Sequence, residues 1–353
     1  MYNTIINNSL LLWYDKNKRK LPWRDINDPY KTWLSEVMLQ QTQVNTVIPY
    51  YNHWIKKYPT LSSIAESEFD ELLKLWEGLG YYSRCKNFFK ACQIIISDFN
   101  GIIPSDIVIF NSLPGVGPYI SGAVMSIAFN QPHPAIDGNI NRIMFRYLGL
   151  KNNTIYNNNR IYAKLCTFIN LRPGDTNQSL MDIGSLICKS NIVYCGKCPL
   201  SQSCKTFLNG IPLLYPEKIK QKKLPLKNII AGFIEKNNKI LIVKRDNEGA
   251  LGGLWELPMI FVNDSNDQYL LKSFLKNKYN LDIKINYKVG NIIHSFSHYK
   301  MNISLFNCEI TNKSTELNST INASKWISRN EIDKYAFHKA NHKLFELIDK
   351  SNV

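Results

Sequence analysis

The hydrophobic repeat changes period part-way along the chain, so neither one helical bundle nor one sheet can absorb the whole of it. From about residue 3 to residue 209 apolar side chains recur at helical spacing, as in "YKTWLSEVMLQQ", "FDELLKLWEGLG", "ISGAVMSIAF" and "INRIMFRYLGL". That half is expected to be nearly all helix. Residues 211–227, "IPLLYPEKIKQKKLPLK", join three prolines to a run of lysines without a clear period, the composition of a linker. Beyond it the repeat shortens. "NIIAGFIEKNNKILIVKR" reads as two β-type runs around an Asn-Asn turn, and "YKVGNIIHSFSHYKMNISLFNCEI" holds alternating strands. "DQYLLKSFLKNKY" and "RNEIDKYAF" read as short helices, which makes the stretch from about residue 228 to 353 a separate α+β domain.

With 353 residues, 44% of them apolar, the chain can bury real cores in two or three domains. Its net charge of +15 favours a polyanionic partner. A general enrichment in Asn, Ile and Lys, as expected of an AT-rich coding sequence, accounts for part of that charge, so charge alone does not establish nucleic-acid binding. The N-terminus has too short an apolar run, with its basic residues on the wrong side, for a secretory signal. No window reaches the 18 apolar residues of a membrane span. A cytoplasmic location follows as the expectation. In that reducing setting the eight cysteines are not expected to be disulfides.

Their spacing explains four of them. Cys188, Cys195, Cys198 and Cys204 follow C-x6-C-x2-C-x5-C, whereas Cys85, Cys92, Cys166 and Cys308 are scattered. Four thiolates within seventeen residues can close around a four-iron, four-sulfur cluster or an all-thiolate zinc ion. Zinc modules usually supply two C-x2-C pairs and this segment has one, which favours iron-sulfur.

Three further features carry chemistry. "LPGVGPY", residues 113–119, is a tight turn between two helical patterns. Gly115 and Gly117 permit positive φ and close approach of a ligand, and amides at the start of the second helix can face a phosphate. A plain αα-corner is the competing explanation. Glu36 flanks the apolar face made by Trp33, Leu34, Val37 and Met38, in a helix opened by Asp28 and Pro29. Partial desolvation there raises a carboxyl towards the range of a general acid. Asp137, in "AIDGNINRIMF", stands where a helix starts, so capping is its default role. Capping would also keep it ionised beside the positive end of the helix dipole. One protonatable acid with one charged acid is a pairing that cleaves glycosidic bonds.

Taken with "LPWR", "WLSEVMLQQTQV", "GLGYYSR", "DGNINR", "GGLWELP" and "FSH", these residues closely resemble one family over nearly the whole chain: the MutY-type adenine DNA glycosylases of the helix-hairpin-helix, iron-sulfur superfamily that includes endonuclease III. The resemblance implies that Glu36 protonates a flipped adenine at N7 and that Asp137 stabilises or captures the sugar oxocarbenium, with Asn139 and Tyr119 holding the site. It implies DNA contacts for Arg24, Gln41, Leu79, Tyr81, Gly115 and Gly117. Bifunctional relatives carry a Schiff-base lysine at the position of Tyr119, and tyrosine has no amine, so the enzyme should be monofunctional. "GGLWELP" looks like the start of a Nudix signature, but the glutamate-rich Mg²⁺ helix does not follow. In the family that domain reads the opposing 8-oxoguanine, and Phe296, Ser297 and His298 match its recognition loop. The loop "KSNIVY" departs from the pattern, with Lys189 its single basic residue where relatives present several.

The resulting expectation is a multi-domain fold: an all-α helix-hairpin-helix glycosylase domain with an iron-sulfur cluster lobe, followed by an α+β Nudix-like domain. The helical domain spans residues 1–210, with a barrel lobe at about 29–133 and a cluster lobe from 1–28 plus 134–210. Residues 211–227 form the linker, and 228–353 the lesion-recognition domain. The expected substrate is duplex DNA with adenine opposite 8-oxoguanine or guanine, the expected cofactor a [4Fe-4S] cluster, and the expected state a monomer. A bifunctional endonuclease III-like glycosylase/lyase and a non-catalytic damage-binding protein on the same scaffold are the alternatives.

Overall fold

The computed structural model describes residues 2–217, 223–263, 268–311 and 324–351; residues 218–222 of the expected linker lie outside the described residues. In chain order the helices are α1 (Tyr2–Asn17), α2 (Pro29–Leu39), α3 (Val44–Lys57), α4 (Leu61–Ala65), α5 (Phe69–Trp76), α6 (Ser83–Phe99), α7 (Ile107–Asn111), α8 (Pro118–Ile127), α9 (Gly138–Leu148), α10 (Ile155–Cys166), α11 (Pro173–Leu186) and α12 (Lys205–Leu208). Several of their starts follow from capping chemistry. Asp28 accepts from Lys31 N at 3.1 Å, Asp106 from Val108 and Ile109 N, Asp137 from Ile140 N, and Thr154 from Asn157 N. α9 stops at Gly149, which takes the left-handed conformation of a helix C-terminus.

The chain divides into two compact units, Met1–Glu66 with Asn87–Lys220 and Ser67–Lys86 with Gln221–Val353. In the first, a core joins Ile6 and Leu10 of α1 to Ile140, Ile143 and Met144 of α9, Ile161 and Leu165 of α10, and Leu180 and Ile183 of α11. Trp33 of α2 is set edge-on to Phe88 and Phe110, with ring centroids 4.5 and 5.4 Å away. The chain between α8 and α9 is pinned by the buried Asn177. Its amide oxygen accepts from Ala135 N, and its amide nitrogen donates to Ser126 Oγ and to the His133 carbonyl.

Among the described residues of the second unit, seven strands form a mixed sheet. They are β1 (Leu226–Lys236), β2 (Lys239–Lys244), β3 (Trp255–Glu256), β4 (Met259–Val262), β5 (Ile283–Ser295), β6 (Lys300–Ile310) and β7 (Ser324–Ser328). The order is β3-β2-β1-β6-β5, with β4 on β1 and β7 on β2; β1 and β6 run parallel and the other pairs antiparallel. The expected Asn-Asn turn closes β1 onto β2, with Asn237 and Asn238 both at positive φ. Alternate residues of β1 face different cores. Ile229, Ala231 and Phe233 meet α14 (Lys339–Lys350) through Leu344 and Ile348, whereas Ile230 and Ile234 meet α13 (Gln268–Tyr279) through Leu271 and Leu275. "RNEIDKYAF" is a 3₁₀ turn, Arg329–Lys334, rather than an α-helix, and α14 was not anticipated. The β5–β6 ladder shifts register twice, between Ile285 and Tyr287 and between Lys288 and Gly290.

Candidate active site

α2, α8 and α9 bring three of the expected residues into one network. Glu36 is 4% exposed, and the Tyr119 hydroxyl, from the first turn of α8, donates to its Oε2. Burial pushes the Glu36 carboxyl up to about 7; the charge of Asp137 adds to this, while the Tyr119 hydrogen bond and the charge of Arg24 oppose it. Burial and both carboxylates hold the Tyr119 phenol well above its ordinary range, so it stays a donor.

Asp137 caps α9 as its sequence context suggested. Its Oδ1 accepts from Ile140 N at 2.6 Å and its Oδ2 from Asn139 Nδ2 at 2.8 Å. Capping does not decide its ionisation, because burial raises this carboxyl despite those bonds and the nearby Arg142 charge. From Asn139 the bonding continues. Arg142 Nη2 donates to Asn139 Oδ1 at 2.9 Å and to the Gly184 carbonyl at 2.7 Å, and Arg142 Nε donates to the Cys188 carbonyl at 2.9 Å.

Cys188, Cys195, Cys198 and Cys204 line a single cavity walled by Ile143, Tyr147, Ile187, Leu200 and Phe207. Buried Arg146 donates from Nη1 to Cys188 Sγ at 3.1 Å and also bonds the carbonyls of Lys189, Ser190 and Tyr215. Among the described residues no group of three or more His, Cys, Asp and Glu side chains is arranged to hold a metal ion. The four half-buried thiols share a largely apolar cavity with a guanidinium, a setting whose donor set and positive charge suit a thiolate-bound cluster of net negative charge.

The hairpin forms between α7 and α8. Gly115 takes φ +75°, and a Cβ there would lie 2.7 Å from that of Asn87. Gly117 is different from the expectation: its backbone is extended at φ −115°, and it serves as the N-cap of α8, with nothing within 4 Å of where a Cβ would be. Gln41 is exposed on a left-handed turn, as is Tyr81 at 36%, but Leu79 is 5% exposed and so faces inward. Arg24 is buried, gripping Asp182 with two bonds of 2.6 and 2.9 Å, and Arg19 binds the same carboxylate. Asp182 and Arg146 are structural partners that sequence reading did not single out; a lone Asp or Arg inside a helical pattern gives no signal of its partner.

Phe296, Ser297 and His298 occupy the turn between β5 and β6, closed by Phe296 N donating to the Tyr299 carbonyl at 2.9 Å. Phe296 is anchored among His294, Tyr299 and His338, at centroid distances of 4.7, 5.4 and 6.3 Å, which leaves Ser297 and His298 exposed at the tip.

Residues 34–167 match the family model described as HhH-GPD superfamily base excision DNA repair protein, and residues 230–347 match that of the NUDIX domain. Over 308 residues the chain is 36% identical to an adenine DNA glycosylase of Buchnera aphidicola subsp. Baizongia pistaciae (strain Bp), taking in 86% of this chain and 84% of that one. It is 29% identical over 406 residues to an adenine DNA glycosylase of Rattus norvegicus, with 98% and 78% covered. Among solved structures it is similar to a thermostable thymine-DNA glycosylase at 27% identity and a TM-score of 0.54, over 59% of this chain and 97% of that one.

Proposed function

Because the chain belongs to the adenine DNA glycosylase family, we propose that it hydrolyses the N-glycosidic bond of adenine mispaired with 8-oxoguanine or guanine, after that base has left the duplex stack. The observation that carries this reading is the buried Glu36 carboxyl, raised to about 7 and hydrogen-bonded by Tyr119, within electrostatic reach of Asp137. At neutral pH much of Glu36 is protonated. Its proton passes to N7 of adenine, the C1′–N9 bond breaks with its electron pair going to the base, and the ionised Asp137 stabilises the cationic sugar or bonds to C1′ until water adds. Asn139 orients Asp137, and Arg142 orients Asn139. Tyr119 offers a phenol where a lyase needs an amine, so no Schiff base forms with the sugar.

The amides at the start of α8, beside the open Gly117, hold backbone phosphate without reading sequence. Tyr81, on an exposed left-handed turn with the buried Leu79 beside it, fills the space the base vacates, and Gln41, on an exposed left-handed turn of its own, contacts DNA. Arg24 acts from inside, through its charge on Glu36, with Asp182 fixing its guanidinium. Ser297 and His298 meet the 8-oxoguanine edge. Cys188, Cys195, Cys198 and Cys204 hold a [4Fe-4S] cluster, which when bound cross-links their segment, and Arg146 balances its charge.

A single-turnover assay on an 8-oxoguanine:adenine duplex, worked up with and without hot alkali, tests the reading. Adenine should be released at once and strands should break only after alkali. Strand breakage without alkali, or an imine trapped by borohydride, would overturn the monofunctional assignment, and intact substrate would overturn the activity.

A further inference from the structure

α5 ends at Trp76 with Glu77 as its C-cap, and the next residues form the turn 78–82 that carries Leu79 and Tyr81. The turn is closed on itself. Trp76 Nε1 and Arg84 Nη2 both donate to the Gly80 carbonyl at 3.0 Å, and Gly78 N donates to Tyr82 Oη at 3.2 Å. What fixes its base is Glu77, whose side chain is 14% exposed. Its Oε1 accepts from Phe337 N at 2.9 Å and from His342 Nε2 at 2.7 Å, and its Oε2 accepts from Lys74 Nζ, which also bonds the Tyr335 carbonyl at 3.1 Å. Burial works against the charge, yet these donors hold the Glu77 carboxyl below its ordinary range.

The rest of the segment is seated in the same unit. Asp70 pairs with Lys244 at 2.6 Å, and Lys86 donates to the Asn247 carbonyl. Gly253, at φ +81°, leaves room for Phe69 and Leu73, which would lie 3.3 and 3.1 Å from a Cβ there. Gly253 belongs to "GGLWELP", the motif left without a Mg²⁺ helix. In this chain that loop makes a bed for α5, and Trp255 N, bonded to the Ala336 carbonyl at 2.8 Å, aligns the segment 335–337 that Lys74 and Glu77 grip.

We propose that Glu77 is a positioning residue that ties the 78–82 turn to residues 335–342, so that reading of the lesion by the 296–298 loop and extrusion of the opposing base are coupled through one rigid body. Phe296 packs on His338, four residues from His342, so both the lesion loop and the turn rest on the same stretch of chain. The inference rests on the roles proposed above for Tyr81, Ser297 and His298.

The test compares full-length wild type, Glu77→Ala, Glu77→Gln, His342→Ala and the double variant Glu77→Ala, His342→Ala in single-turnover assays on 8-oxoguanine:adenine and guanine:adenine duplexes, with thermal melting alongside. Glu77→Ala and His342→Ala should each cut the rate on the lesion duplex about tenfold, with less than about a twofold change on guanine:adenine, and the double variant should lose no more than the worse single one. Glu77→Gln, which keeps its acceptor oxygen for Phe337 N, should retain most of the preference. Equal losses on both substrates, additive losses, or an unchanged preference in Glu77→Ala would overturn the coupling. The reading beneath it has its own check: a wild type without lesion preference, or a Ser297→Ala, His298→Ala variant that keeps the preference, would overturn that reading and the coupling with it.

Discussion

At pH 8 the Glu36 carboxyl carries a charge in a place that water scarcely reaches, and this has two measurable consequences. A general acid must be protonated, so the single-turnover rate should fall as pH rises through about 7, while the need for an ionised Asp137 makes it fall again on the acid side, at a pH above the ordinary Asp value because that group too is raised. Glu36→Gln should retain DNA binding but lose about 10² to 10⁴ in rate, and a rate close to wild type would remove Glu36 from the mechanism. Stability runs the other way. A folded-state value of about 7 against 4.5 unfolded means that the protonated form is favoured by folding at low pH and that this advantage is lost between the two values. At roughly 1.4 kcal/mol per unit, Glu36→Gln should be more stable than wild type at pH 8 by about 3 kcal/mol, as a thermal melt would show. The apolar flank of Glu36 was legible in "WLSEVMLQQ". Its bond from Tyr119, 83 residues away, was not, because sequence patterning carries local period and no long-range geometry.

α9 shows what an element can reveal before it folds. Asp137 announced itself as a cap by standing before Gly138 and an apolar repeat. That Arg142 and Arg146 then reach α11 and the cysteine segment was hidden, since their partners are mostly carbonyl oxygens. α14 went unread because its N-cap, His338, makes no side-chain cap bond. The 3₁₀ turn at 329–334 carries a full capping box between Ser328 and Glu331, a helix-start signature, yet the chain leaves after two turns of 3₁₀ to lie beside β3. Between α1 and α11 the Arg24–Asp182 pair is fully enclosed, and breaking a buried pair costs about 3–5 kcal/mol. Arg24→Ala should fall near the low end, because Arg19 still holds Asp182, and denaturant unfolding measures it. A loss below about 1 kcal/mol would show that the pair contributes little to stability.

For the whole molecule, the change of hydrophobic period correctly marked a helical half and a β-rich half. It could not show that Ser67–Lys86, helical by its repeat, packs with Gln221–Val353, because that depends on tertiary partners such as Glu77 with Phe337. That the four spaced cysteines line one cavity was legible in their spacing, and the chain isolated without air should contain about four irons, lost on Cys198→Ser; one zinc and no iron by metal analysis would exclude the cluster. β5 ends the sheet, and a thirteen-residue border strand is an invitation to other polypeptides. Its two bulges bend that border away from a straight ladder, and Lys284 and Lys288 project charge along it. An incoming strand would have to match both kinks and bury two ammonium groups, so strand-to-strand association along this border is disfavoured by its own shape and charge.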